Sequence, residues 1–299
     1  MSVRLGINPI TWTNDDMPEL GGDIPLETCL SETHAAGYAG IEMGGKFPRK
    51  SAELKPILDK HDLALVSGWY DGRLLDKGLE EEWTAAQAHL TLLRDMGCKH
   101  VVYADTSRRS DGELFGPISK RPRLRDDEWP AYGRDLTALA VRMRDFGVAM
   151  AFHHHMGTIV ETDAEVDKLM SVTGPAVGLL FDSGHSAFSG GDPVALVKRH
   201  VKRVVHVHCK DTRRKILDET RAKDGSFMQA VLDGIFTVPG DGSVDFPAIL
   251  RTLKENGYGG WLIVEAEQDP RKAHPLTYAK LGFGNLARLA LQAGHTITP

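Results

Sequence analysis

Three stretches of this chain carry clustered histidine or aspartate: Gly147 to Thr158 (GVAMAFHHHMGT), Gly178 to Phe188 (GLLFDSGHSAF) and Arg203 to Asp211 (RVVHVHCKD). In each, a short apolar run leads to groups that ligate metals or move protons. Side chains alternate faces along a strand, so His153 and His155 share a face, as do His206 and His208, while Asp182 closes the middle run. A fourth run, Trp261-Leu-Ile-Val-Glu-Ala-Glu267, puts Glu265 and Glu267 on one face near its end. Imidazole and carboxylate ligands from separate strand ends suit Mn, Co, Zn or Fe. One such residue alone is more often a cap or a loop residue. Together His153, Asp182, His208 and Glu265 point to a divalent metal site, with His155 the alternative to His153 in the first stretch.

A site of this kind needs strand ends brought to one place, and the chain repeats the phrase that would do it. Ala36-Gly37 leads to Ile41-Glu42-Met43, Met96-Gly97 to His100–Tyr103, Phe146-Gly147 to Val148–Phe152, and Asn256-Gly257 to Trp261–Val264. Each reads as a helix ended by a left-handed Gly, with a buried strand following. Val3–Ile7, Leu63–Val66, Val177–Phe181 and Arg203–His208 bring the strands to eight, with helical patterns between them. Most of these strands are apolar without alternation, which argues for a parallel sheet covered on both faces. Eight such units close an α/β (β/α)8 TIM barrel, whose active residues stand at the C-terminal strand ends. A doubly wound open sheet is the alternative, but no Gly-rich dinucleotide fingerprint follows the first strand. The chain reads as a single domain over 1–299, with charged insertions near 106–129 and 212–239 placed to cover the strand ends.

Other residues near those ends have candidate roles. Glu42 closes the second strand and would meet a substrate hydroxyl or form a salt bridge; Asn8, Trp12 and Trp69 would line the pocket of a sugar-like ring. Lys210 and Arg214 follow the seventh strand and offer cations to substrate oxygens. Glu265, His153 or His185 could serve as base and Lys210 or another histidine as acid, since His titrates near neutral pH. Spacing does not assign these two roles. Asp241 reads as a turn residue and Glu267 as a loop cap or a base.

Composition excludes several classes. The net charge of −5, with no basic block beyond Lys120–Arg125 and Lys210–Lys215, argues against nucleic acid as partner. No run approaches a membrane span, and the opening residues lack a long apolar signal segment. Three widely spaced cysteines, Cys29, Cys98 and Cys209, fit a reducing, cytoplasmic setting.

Four motifs, Phe181-Asp-Ser-Gly-His185, His206-Val-His-Cys-Lys-Asp211, Val238-Pro-Gly-Asp-Gly242 and Gly257-Tyr-Gly-Gly-Trp-Leu-Ile-Val-Glu265, together resemble the xylose-isomerase-like barrels of sugar isomerases, epimerases and AP endonucleases. Within them, Leu5 to Asp16 (LGINPITWTNDD) and the triple histidine before Met156-Gly-Thr158 are similar to the inosose dehydratases of inositol catabolism. The resemblance implies metal-dependent dehydration of a small-molecule cyclitol ketone, with Asp182, His208 and Glu265 as ligands and His185 near the substrate. It places His153 where the superfamily usually has Glu, a departure that removes one carboxylate of the epimerases' two-base pair. It also implies Mn or Co as the metal, associates glutathione with the reaction and leaves a homo-oligomer open. The runner-up is a metal-dependent keto-sugar isomerase or epimerase.

Overall fold

The computed structural model describes residues 2–109 and 115–299. Seven strands pair in parallel in chain order: β1 (Ser2–Ile7), β2 (Gly40–Met43), β3 (Ala64–Gly72), β4 (His100–Asp105), β5 (Ala149–His153), β6 (Gly178–Asp182) and β7 (Val204–Cys209). After a short antiparallel pair, β8 (Asp211–Thr212) with β9 (Phe236–Thr237), the strand β10 (Trp261–Val264) pairs with both β7 and β1. That double pairing closes the barrel. A last strand, β11 (Thr296–Ile297), pairs in parallel with Ser2 and Val3 at the start of β1.

Helices α1 (Leu26–Ala36), α2 (Ser51–Asp59), α3 (Leu74–Lys77), α4 (Leu79–Asp95), α5 (Trp129–Phe146) and α6 (Asp163–Val172) alternate with the strands of the first half. The second half carries α7 (Ser183–Phe188), α8 (Pro193–His200), α9 (Arg214–Ala222), α10 (Phe227–Leu232), α11 (Phe246–Glu255) and α12 (Pro275–Gln292). Helix α5 ends at Gly147 with φ of 109°, a conformation that a β-carbon would strain. Gly37, Gly97 and Gly257 end their helices with positive φ as well, so the repeated phrase read in the sequence is a repeated cap.

Strand residues of one parity, such as Leu5, Tyr103, Phe152, Phe181 and Leu262, join the apolar helix faces in the main core. The other parity faces the barrel interior, where Val102, Ala151 and Leu180 form a small separate cluster. Space there is short: a β-carbon at Gly178 would stand 2.5 Å from Val205 Cγ2, and one at Gly6 would stand 2.6 Å from Ile263 Cδ1. Extended to the strand ends, this inward parity delivers Asn8, Glu42, His153, Asp182, His208 and Glu265 to one mouth.

The insertion after β7 folds into α9, α10 and the β8–β9 pair, with Phe227, Met228, Val231 and Phe236 in a second apolar cluster that takes in Met17, Leu20, Met156 and Phe188. The insertion after β4 docks on it through Pro117 and Ser226 and through Ser119 Oγ, which donates to Asp224 at 2.6 Å. Residues 110–114 of that insertion lie outside the described residues. No helix among the described residues is long and apolar enough to cross a membrane.

Candidate metal centre

His153 ends β5, Asp182 ends β6, His208 is the next-to-last residue of β7, and Glu265 follows β10 directly. One ligand atom from each of these four buried residues lies within 4.8 Å of the others. Asp182 Oδ2 is 3.5 Å from His208 Nδ1 and 3.8 Å from His153 Nε2, and Glu265 Oε2 is 2.6 Å from His208 Nδ1. Neighbouring groups set which atoms face inward. His153 Nδ1 donates to the His154 carbonyl at 2.8 Å, so its Nε2 lone pair is left for the centre. Asp182 Oδ1 accepts the His185 N–H at 2.8 Å and caps α7, which aims Oδ2 at the other donors.

The residues present fit a divalent cation. Asp182 Oδ2 and His208 Nδ1 are buried without a hydrogen bond among the described residues, and the close approach of Glu265 to His208 lacks hydrogen-bond alignment. Buried polar atoms are otherwise nearly always paired. Lone pairs that converge on a point instead of on donors are what a shared cation requires, and two imidazoles with two carboxylates suit a first-row divalent metal.

Burial, with the neighbouring His208, holds His153 well below the ordinary histidine range, so it is neutral and able to ligate. Burial works against charge on Glu265 too, yet His208 and Lys210 outweigh it and keep the carboxylate ionised. Lys210 is fully buried, with Nζ 2.6 Å from Glu265 Oε1, 3.1 Å from His185 Nε2 and 3.7 Å from Glu267 Oε2. Burial opposes its charge, and Glu265, Asp182 and Glu267 prevail over it. Its stem crosses Gly184, where a β-carbon would be 2.4 Å from Lys210 Cγ.

Above the donors opens a cavity of about 430 Å³. Asn8, Glu42, Trp69, His153, His155, His208 and Glu265 line it, as do Asp15, Asp16, Arg49, Asp71 and Arg109. Trp69 meets His155 and His153 edge-on, with ring centroids 5.0 and 5.6 Å apart. His155 Nδ1 donates to the Met156 carbonyl at 2.8 Å, which leaves Nε2 as an acceptor. Burial, reinforced by the charge of Lys210, lowers the pKa of His155 to about 3.

Several sequence expectations do not fit this geometry. Trp12 is fully buried outside the cavity and donates from Nε1 to Glu32 at 2.6 Å, because the 3-10 turn Pro9–Thr11 swings its ring toward α1. Arg214 opens α9 on the solvent side, pairs with Asp218 at 2.9 Å one turn on, and lies away from the centre. His185 and Lys210 do not reach the cavity wall. They pack beneath it, under the rings of Phe227 and Phe236. Asp71 carries no signal in the sequence because the apolar run of the third strand stops at Val66, whereas β3 runs to Gly72. Asp15 lies within the Leu5–Asp16 motif, whereas Arg49 and Arg109 have no spacing signal.

Residues 30–288 match the family model of the xylose isomerase-like TIM barrel. The chain is 67% identical over 298 residues to the rhizopine catabolism protein MocC of Rhizobium meliloti, covering 100% of this chain and 92% of that protein. It is 44% identical over 281 residues to an inosose dehydratase of Lacticaseibacillus casei, covering 93% of this chain and 94% of the other. An L-ribulose 3-epimerase superposes with a TM-score of 0.69 at 16% identity, over 98% of this chain and 96% of its own, a likeness of fold. The chain belongs to the xylose isomerase-like TIM barrel family.

Proposed function

We propose that this protein is a metal-dependent hydro-lyase of inositol catabolism, removing water from 2-keto-myo-inositol to give a trihydroxycyclohexane-dione. The observation that carries this reading is the imidazole of His153 beside Asp182, His208 and Glu265. Epimerisation on this barrel uses two carboxylates as opposed bases. Elimination needs one base and one acid, and whole-length identity to inosose dehydratases agrees with it.

His153, Asp182, His208 and Glu265 would hold the ion, which we take to be Mn or Co. When bound it supplies a Lewis acid that makes the hydrogen next to a ketone more acidic. His155 presents the cavity with a neutral imidazole whose Nε2 is free to accept that hydrogen. A proton taken up at Nε2 would then pass to the departing hydroxyl, so that one imidazole serves as base and then as acid. Lys210 acts through Glu265, keeping it a carboxylate, and its contact with His185 Nε2 occupies the lone pair that residue would need as a base. Asp15, Asp71, Arg49 and Arg109 are placed to bind ring hydroxyls. Three unpaired, buried thiols fit a reducing compartment, and we place the enzyme in the cytoplasm.

The test is dione absorbance after 2-keto-myo-inositol is added to chelator-stripped protein, with and without Mn or Co, with and without reduced glutathione, and beside a panel of other keto-cyclitols. Metal-dependent product is expected. Exchange of the carbon-bound hydrogen for deuterium without dione would move the keto-sugar isomerase reading to first place.

A further inference from the structure

Glu42 stands where a substrate hydroxyl could be met, yet its oxygens are already taken. Ser67 Oγ donates to Oε1 at 2.6 Å, His206 Nε2 reaches Oε1 at 2.8 Å, and Asn8 Nδ2 donates to Oε2 at 2.8 Å. His208 Nε2 lies between the two oxygens, 3.2 Å from Oε1 and 3.1 Å from Oε2. The carboxylate is buried, and donors from β3, β7 and the residue after β1 converge on it.

We propose that Glu42 is the positioning residue that fixes the His208 imidazole, taking its Nε2–H and so turning the Nδ1 lone pair toward Asp182 and Glu265. This rests on the metal-centre reading. With a cation in place of a proton at Nδ1 the imidazole is neutral, with one donor and one acceptor nitrogen, and the bond at one decides the role of the other. With only acceptors facing it from Glu42, Nε2 carries the hydrogen. Nδ1 is then the ligating atom, which matches its lack of a hydrogen bond. The centre is therefore entered by opposite nitrogens, Nε2 of His153 and Nδ1 of His208. An amide in place of this carboxylate sets an NH2 against His208 Nε2–H whichever way it turns. Its NH2 would meet Asn8 Nδ2 and His208 on one side, or Ser67, His206 and His208 on the other.

The experiment compares the stripped full chain with its Glu42→Gln variant, titrating Mn2+ and Co2+ against a competing chelator and recording the visible Co2+ spectrum. Loss of such an outer partner weakens metal binding about 10- to 100-fold, and that weakening with a shifted Co2+ spectrum is expected. Unchanged affinity and spectrum overturn the proposal. If the variant fails to fold, the wild-type chain still decides: long-range 1H–15N spectra of the zinc-loaded protein are expected to show His208 protonated at Nε2, and protonation at Nδ1 overturns the assignment. A wild-type chain that binds no divalent ion overturns both this proposal and the metal-centre reading, whereas tight wild-type binding with an indifferent Glu42→Gln overturns this proposal alone.

Discussion

Asp182 uses its two oxygens differently: Oδ1 caps α7 and Oδ2 has no partner but the other donors. Asn at this position keeps the cap and loses the negative ligand. Asp182→Asn is therefore expected to fold normally while losing metal affinity by more than about 100-fold, since outer partners alone are worth 10- to 100-fold. Metal titration and thermal unfolding check the two halves. His155→Gln separates base from ligand: kcat is expected to fall about 10²- to 10⁴-fold with metal affinity unchanged. Strand parity in the sequence put His153 with His155, His206 with His208 and Glu265 with Glu267, leaving His155 open as the alternative to His153. It could not show that His155, past the end of β5, meets the cavity while His154 turns to accept the Asp182 N–H at 3.3 Å. Nor could spacing tell that Arg214 begins a helix that carries it away.

Among the elements, the insertion after β4 is tied to the loop after β5 by Arg121, a buried cation. It reaches Glu165 at 2.7 and 2.9 Å, Glu161 at 3.3 Å and the Thr158 carbonyl at 3.4 Å. Removing one member of a buried ion pair costs about 3–5 kcal/mol, so Arg121→Met is expected to destabilise by about that much in denaturant unfolding. Burial raises Glu161 to about 7, with the charge of Glu165 adding to it and Arg121 pulling the other way. An unfolded glutamate releases its proton near about pH 4.3. Folding thus holds a proton on Glu161 between these values, and its stabilising effect is full below them and lost as pH rises toward 7. Relative to Glu161→Gln, the wild type is expected to lose about 2–3 kcal/mol between pH 5 and pH 8. The sequence marked both insertions as lids from their charge and place. Their charge also hid the apolar side: Leu217, Phe227, Met228 and Phe236 lie buried within an insertion that reads as charged.

For the whole molecule, closure rests on glycines that let the interior strands approach. Gly178→Ala would drive a β-carbon to within 2.8 Å of the Met150 carbonyl oxygen as well as onto Val205. A loss of about 1–3 kcal/mol, the usual range for overpacking, is expected in thermal unfolding. The eight strands and the four Gly-capped helices were legible because buried parallel strands and left-handed caps leave local signatures. Strand length was not, since β3 continues past its apolar run as Ser67-Gly-Trp-Tyr-Asp-Gly72, whose pairing with β4 only the closed sheet supplies.

Titrating chelator-stripped protein with Mn2+ or Co2+ while following dehydration of 2-keto-myo-inositol tests the central claim most directly. Turnover is expected to climb from near zero and level off at one equivalent of ion per chain, and to stay flat in Asp182→Asn. Full turnover in the stripped wild-type protein would contradict it.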